Sequence, residues 1–280
     1  PVRGYGKITR RLPFQTGKRG LYGIPSLNMT ARDFFMTTNF AYSRKSDAWL
    51  YVLPKRVASP ELSMFCSHLL GELETRRNQM EDPYTFRGIR EYTYGDTYGK
   101  INWKATAKAS KLMVNMYGYT SEQRVRILLN LETNIMVKTE YLQEMSIRMA
   151  GTIAEYFLQH KVSVELVSNG IDCMTGACER VEAGMSMEHD ETIDKYLARI
   201  KENAGIDAFM QMVDTEIQKM EEPITYVIIS PYYKEDLLLK LDYMHKKHPE
   251  LHMVVPYYDI QDKTGWRGYM QGVEVKWNEI

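Results

Sequence analysis

The sequence predicts an α/β protein: a mostly parallel sheet with helices on both faces, preceded by a small N-terminal β-sandwich-like domain. Three observations lead there. Short apolar runs at 125–131, 162–167, 224–229 and 251–255 have the length and composition of buried parallel strands. Between them lie longer segments with apolar residues at three- and four-residue spacing, the periodicity of a helix face. Ahead of residue 58 no helical repeat occurs, and alternating apolar and polar runs are punctuated by turn residues.

Residues 1–58 form the β-sandwich-like module in this reading. Strands are expected at Tyr5–Thr9, Leu21–Met29 and Trp49–Leu53, with turns at Gly17–Gly20, Gly23, Pro25 and Pro54. Asp33-Phe34-Phe35 is expected as a turn that plugs aromatics into the core. Residues 59–86 form a helical connector, because Leu62, Phe65, Leu69, Leu70 and Leu73 recur on one helix face until Asp82-Pro83 breaks it. Residues 87–123 are a segment joining the two parts. Residues 124–280 form the α/β domain, with helices expected over 138–159, around 193–200, 206–217 and 234–247, and an edge strand over 272–277.

Composition narrows the class. The 44% apolar and 26% charged residues are those of a folded chain. No stretch approaches the ~18 consecutive apolar residues of a membrane span. The three cysteines, Cys66, Cys173 and Cys178, read as reduced thiols in a cytosolic setting. The chain starts at Pro1 with no initiator Met, as a fragment lacking its natural N-terminus does. The net charge of zero hides a split: residues 1–126 carry 21 Lys and Arg against 10 Asp and Glu, and the remainder carries 15 against 26. Such asymmetry fits either an anionic partner for the first half or two complementary surfaces facing each other.

The densest run of special residues is 87–117. Arg87, Arg90, Lys100, Lys104, Lys108 and Lys111 are interleaved with Tyr92, Tyr94, Tyr98 and Trp103. In a structural reading, Tyr94-Gly95-Asp96 makes a tight turn with Gly95 at positive φ. Asp96 then caps a short helix containing Ile101–Lys108, Arg90 pairs with Asp96 or a carbonyl, and Trp103 buries its ring at the domain junction. The alternative is a basic, aromatic surface gripping phosphate, RNA or an acidic peptide. No Gly-x-Ser-x-Gly elbow, P-loop, Gly-x-Gly-x-x-Gly or His-Glu-x-x-His occurs, so the enzyme classes built on them are not indicated. His245 and His248 read as surface features at a helix end.

In α/β folds ligands bind beyond the C-terminal strand ends, which directs attention to Asn130–Asn134, Ser168–Gly170, Ser230–Tyr233 and Pro256–Asp259. The first apolar strand, followed by alternating oxygen-bearing residues and a long helix, resembles the von Willebrand factor A fold. That family's Asp-x-Ser-x-Ser motif holds a hard divalent cation through oxygen. Here Asn130, Glu132 and Asn134 occupy the three positions, and Ser230-Pro231 stands where a metal-competent version offers an Asp. The expectation is a degenerate site with no cofactor, Mg²⁺ being the ion it would take.

Arg90-Glu91-Tyr92-x-x-Gly95-Asp96, then Lys100-Ile101-x-Trp103-Lys104-Ala105-Thr106-Ala107, resembles the signature of the bacterial family called domain of unknown function 58. Gly99 departs from the arginine common there. The order of parts also fits: β module, signature, von Willebrand A-like domain. The resemblance implies N-terminal transmembrane helices ahead of this sequence and a soluble part on the cytoplasmic face. It also implies a partner among MoxR-type AAA+ ATPases or their associated proteins. The expected function is a non-enzymatic interaction or adaptor module. The alternatives are nucleic-acid or anion binding by the basic half, and metal-dependent hydrolysis at Asn130, Glu132 and Asn134.

Overall fold

The computed structural model describes residues 9, 11, 13, 15–33, 35, 37–79, 81–119, 123–132, 139–202, 207–219, 224–233, 235–257 and 266–274. In chain order they form β1 (Gly20–Arg32), β2 (Asn39–Val52), α1 (Pro60–Gln79), β3 (Glu81–Glu91), α2 (Trp103–Ala109), β4 (Met113–Tyr119) and β5 (Arg124–Leu129). Then come α3 (Thr139–Gln159), β6 (Ser163–Ser168), β7 (Ile171–Asp172), β8 (Arg180–Gly184), α4 (Met187–Arg199) and β9 (Ile200–Lys201). The chain continues through α5 (Ala208–Gln218), β10 (Ile224–Ile229), α6 (Glu235–Lys247), β11 (Leu251–Tyr257) and β12 (Met270–Glu274).

Six strands make one sheet in the order β12-β11-β10-β5-β6-β8. Neighbours are parallel except β8, which runs antiparallel to β6. This is an α/β architecture compatible with a Rossmann-like fold. Successive side chains of a strand point to opposite faces, and here both faces are covered. Val125, Ile127 and Leu129 of β5, with Val227 and Ile229 of β10, join a core that includes Met149 and Ile153 of α3 and Ile193 and Leu197 of α4. Leu128, Tyr226 and Ile228 turn the other way and pack with Phe209 and Val213 of α5 and Leu237 and Leu241 of α6. That two-sided burial is why these strands read as continuous apolar runs.

Helix α1, expected as a connector, belongs to the first core through Leu62, Cys66, Leu69 and Leu73. It ends at Gln79, and β3 begins at Glu81. Asp82-Pro83 lies inside β3 at a register irregularity between Asp82 and Phe86, where a missing ladder N–H is tolerated.

Where a β-sandwich-like module is expected, the described residues of 1–58 form one antiparallel hairpin, β1–β2. Its pairing shifts between Ile24 and Ser26, beside Pro25. Beyond that bulge the two faces differ in chemistry. Leu27, Met29 and Ala31 share a face with Arg44, Tyr42 and Phe40, while Ser26, Asn28, Thr30 and Arg32 share the other with Lys45, Ser43, Ala41 and Asn39. Nearer the base, Trp49 lies across Gly23, where an added Cβ would come within 3.0 Å of its ring. Phe35, expected to plug into the core, is 80% exposed at the hairpin end. Phe34 and the strand expected at Tyr5–Thr9 lie outside the described residues, save Thr9. Alternation in the sequence shows that a strand has an apolar face but not what covers it. Among the described residues no helix is long and apolar enough to cross a membrane.

Candidate functional site

The segment between β3 and β4 is built on its own short-range contacts. Arg90 reaches both oxygens of Asp96, at 2.7 and 2.6 Å, and also donates to the Glu91 carbonyl. Thr93 N–H donates to the same carboxylate at 2.8 Å. These charge-assisted bonds hold the Asp96 carboxyl well below the usual carboxylate range, the Arg90 hydrogen bond being the main cause. Gly95 adopts φ of 113°, a backbone state that side-chain-bearing residues avoid.

Asp96 therefore shapes the turn and does not cap α2. The cap is Asn102, whose side chain accepts from Ala105 N–H at 2.9 Å and donates to Asn115 of β4 at 2.7 Å. A single 3₁₀ turn, Tyr98–Lys100, stands between turn and helix. Ile101 bridges to Val114, and both are buried. Tyr92 stacks on Tyr98 with ring centroids 6.2 Å apart. Trp103 is not the buried junction residue the sequence suggests: it is 69% exposed, and Tyr94 and Tyr98 are exposed as well. Trp103 is the first residue of a seven-residue helix that is tied to β4 through Thr106, whose hydroxyl accepts from Met113 N–H at 3.0 Å. Lys104, Ala107 and Lys108 are exposed along the same helix, and Lys111 pairs with Glu91 at 2.9 Å.

At the C-terminal strand ends, Asn130, Asn169 and Ser230 follow β5, β6 and β10 and are buried together. Asn130 donates to Ser230 Oγ at 2.9 Å and accepts from Glu132 N–H at 2.9 Å and Asn169 at 3.2 Å. Asn169 in turn accepts from Leu131 N–H at 2.7 Å, and Ser230 donates to the Tyr232 carbonyl at 2.8 Å. The Glu132 carboxylate accepts from Phe209 N–H in the first turn of α5 at 3.0 Å. Burial, with Asp207 and Asp236 nearby, lifts its pKa above the ordinary value while the α5 amides oppose the rise. Asn134 lies outside the described residues.

Asn130, Glu132 and Ser230, the described members of the expected site, are a poor fit to a hard divalent cation. The oxygens of Asn130 and Ser230 are engaged by protein donors, neither carries charge, and Glu132 serves the start of α5. Among the described residues no three metal-binding side chains gather as a cluster. Among the described residues, hydrogen bonds join Asn130, Asn169 and Ser230 across the ends of β5, β6 and β10.

Several important side chains were not singled out in the sequence. On the α5 face of the sheet, Arg126 bonds Glu165 at 2.8 Å and Glu216 at 2.5 Å, and Arg180 pairs with both glutamates. Arg126 and Glu165 stand opposite each other in the ladder. The signal was a charged residue at the third place of each of two mostly apolar strands, β5 and β6. A second group, at the turn expected over Gly17–Gly20, fixes the hairpin base through partners the sequence did not reveal. Arg19 donates to the carbonyls of Leu197 and Ile200 at the end of α4 and to Glu144 of α3 at 2.7 Å, and Lys18 pairs with Glu140. Arg56 joins Glu155, Asp190 and Asp194. Basic residues of the first half thus face acids of the second, one of the two readings of the charge split. His245 and His248, expected on the surface, are partly buried and buried. Compared with known proteins, the chain matches no family model and no curated protein.

Proposed function

We propose that the chain is a non-enzymatic interaction module, a von Willebrand A-like α/β body from which the β1–β2 hairpin projects as a docking arm. The carrying observation is the hairpin's apolar row: Leu27, Met29, Phe40 and Tyr42 are each more than half exposed, on one face, opposite a polar face. Contiguous exposed apolar residues of this kind mark interaction surfaces. The resemblance of residues 90–107 to the domain of unknown function 58 signature supports a more specific form. In it the module sits at the cytoplasmic face of a membrane, held by a preceding segment, and works with a MoxR-type AAA+ ATPase. Co-purification from native membrane extract tests this against a variant with Leu27, Met29, Phe40 and Tyr42 changed to Ser. Enrichment of an AAA+ ATPase by the wild-type chain alone is expected, and equal recovery by both chains rejects the reading.

A second reading has its own observation. Exposed Tyr94, Tyr98 and Trp103 interleave with exposed Lys104 and Lys108, the arrangement of stacking platforms for single-stranded nucleic acid. Against it, Lys18, Arg19 and Arg56 are engaged by acids of the same chain. Anisotropy with single-stranded RNA at low ionic strength decides: salt-dependent binding lost on Trp103→Ala supports it, and no binding excludes it.

A further inference from the structure

A groove of about 740 Å³ opens between α1, the end of α6 and the first residues of β11 and β12. Three imidazoles line it: His68 of α1, His245 of α6 and His252 of β11. Glu72 of α1 stands between two of them, with His68 Nδ1 3.2 Å from one carboxylate oxygen and His252 Nε2 3.3 Å from the other. The His252 side chain is only 17% exposed and lies edge-on to Phe65 at 6.0 Å. His252 Nε2 and His245 Nδ1 are buried atoms with no aligned hydrogen bond.

The other charged groups around the groove come from every element that frames it. Arg76 of α1 is bridged to Glu250 at 2.8 Å, Arg267 is held by Asp242 and Glu235, and Glu61 stands at the groove's other end on α1. Tyr269 lies against the His245 ring at 4.9 Å. The site is thus a helix docked on a sheet through imidazoles, two of which face the Glu72 carboxylate, while buried His252 Nε2 and His245 Nδ1 make no aligned hydrogen bond.

We propose that this three-histidine groove is a proton-operated latch, in which protonation of buried His252 loosens the turns of α1 carrying His68, Glu72 and Arg76. The latch follows from linkage. Burial keeps the His252 pKa below the usual imidazole value; Arg76, His68 and His245 push the same way, and Glu72 opposes them. Lifting α1 returns the ring to water and to its ordinary pKa of about 6.5. The open state therefore binds the proton more tightly. Docking is at full strength above about pH 6.5 and weakens as the pH falls below it.

Hydrogen exchange of residues 60–79, corrected for the intrinsic rate and compared at about pH 7.5 and about pH 5.5, tests the latch across the imidazole range. In the wild-type chain the opening equilibrium rises on acidification, by at most about tenfold per pH unit for one proton. In His252→Asn it stays flat. An equal rise in both chains overturns the proposal. Nuclear magnetic resonance titration of His252 in the wild-type chain gives a second reading that does not depend on the variant folding. A midpoint below about 6.5 supports the latch, and one at or above that value overturns it.

Discussion

Arg56 grips Asp194 with two guanidinium nitrogens, at 2.6 and 2.9 Å. The same side chain reaches Glu155 at 2.6 Å and Asp190 at 3.0 Å. One arginine just after β2 therefore ties the hairpin to α3 and α4. Arg56→Ala leaves three carboxylates facing one another, and burial already holds the Asp190 and Asp194 pKa values above the ordinary range. Denaturant unfolding at neutral pH is expected to show a loss of about 3 kcal/mol. Groups with raised folded pKa destabilise most when ionised, so the deficit narrows as the pH falls towards ~4. A loss that is negligible, or that grows on acidification, contradicts this arrangement.

Arg126 is the centre of the buried ion network on the α5 face. Arg126→Met leaves Glu165 and Glu216, each almost fully buried, with Arg180 as their one remaining guanidinium partner in that network. Removing one member of such a group costs about 3–5 kcal/mol. The change in denaturation midpoint measures it, and a variant as stable as the wild type rules out a buried Arg126.

The thiols report on α1. Cys66 is 1% exposed and burial pushes its pKa up to about 12, whereas Cys173 and Cys178 are exposed. Thiolate is the reactive form. A disulfide-exchange reagent should titrate Cys173 and Cys178 in the native chain and Cys66 only after unfolding. Immediate reaction of all three means that α1 is not docked as described.

Trp103 separates the two readings of the signature. Because its ring is exposed, Trp103→Phe should change stability by no more than about 0.5 kcal/mol, as surface substitutions do. A loss of several kcal/mol in thermal or denaturant unfolding restores the buried-junction reading.

Much of the body was legible because its strands obey one rule. Residues 125–131 and 224–229 are mostly apolar, interrupted only by Arg126, Asn130 and Thr225, as a sheet covered on both faces demands, and the structure buries β5 and β10 at every residue from Val125 and Ile224 onward. The Arg90–Asp96 pair and the positive φ of Gly95 were legible because both are local, within six residues. Trp103 and Phe35 were misjudged for one reason: a large apolar side chain shows a preference for burial, and burial needs a partner surface that no local pattern specifies. Asn102 was missed as the cap because Asp96 is also a cap-forming residue and lies on the near side of a 3₁₀ turn that the glycines obscured. The His252–Glu72 and Arg56–Asp194 relationships join residues far apart in the chain, and a single sequence holds no record of such pairings.

Face-resolved photo-crosslinking tests the docking arm most directly. A photoreactive residue at position 27 or 40 lies on the apolar face, and one at position 28 or 41 on the polar face. In native extract, the account predicts protein adducts from Leu27 and Phe40 positions and little from Asn28 and Ala41. Adducts of equal yield from both faces, or none from the apolar face, contradict it.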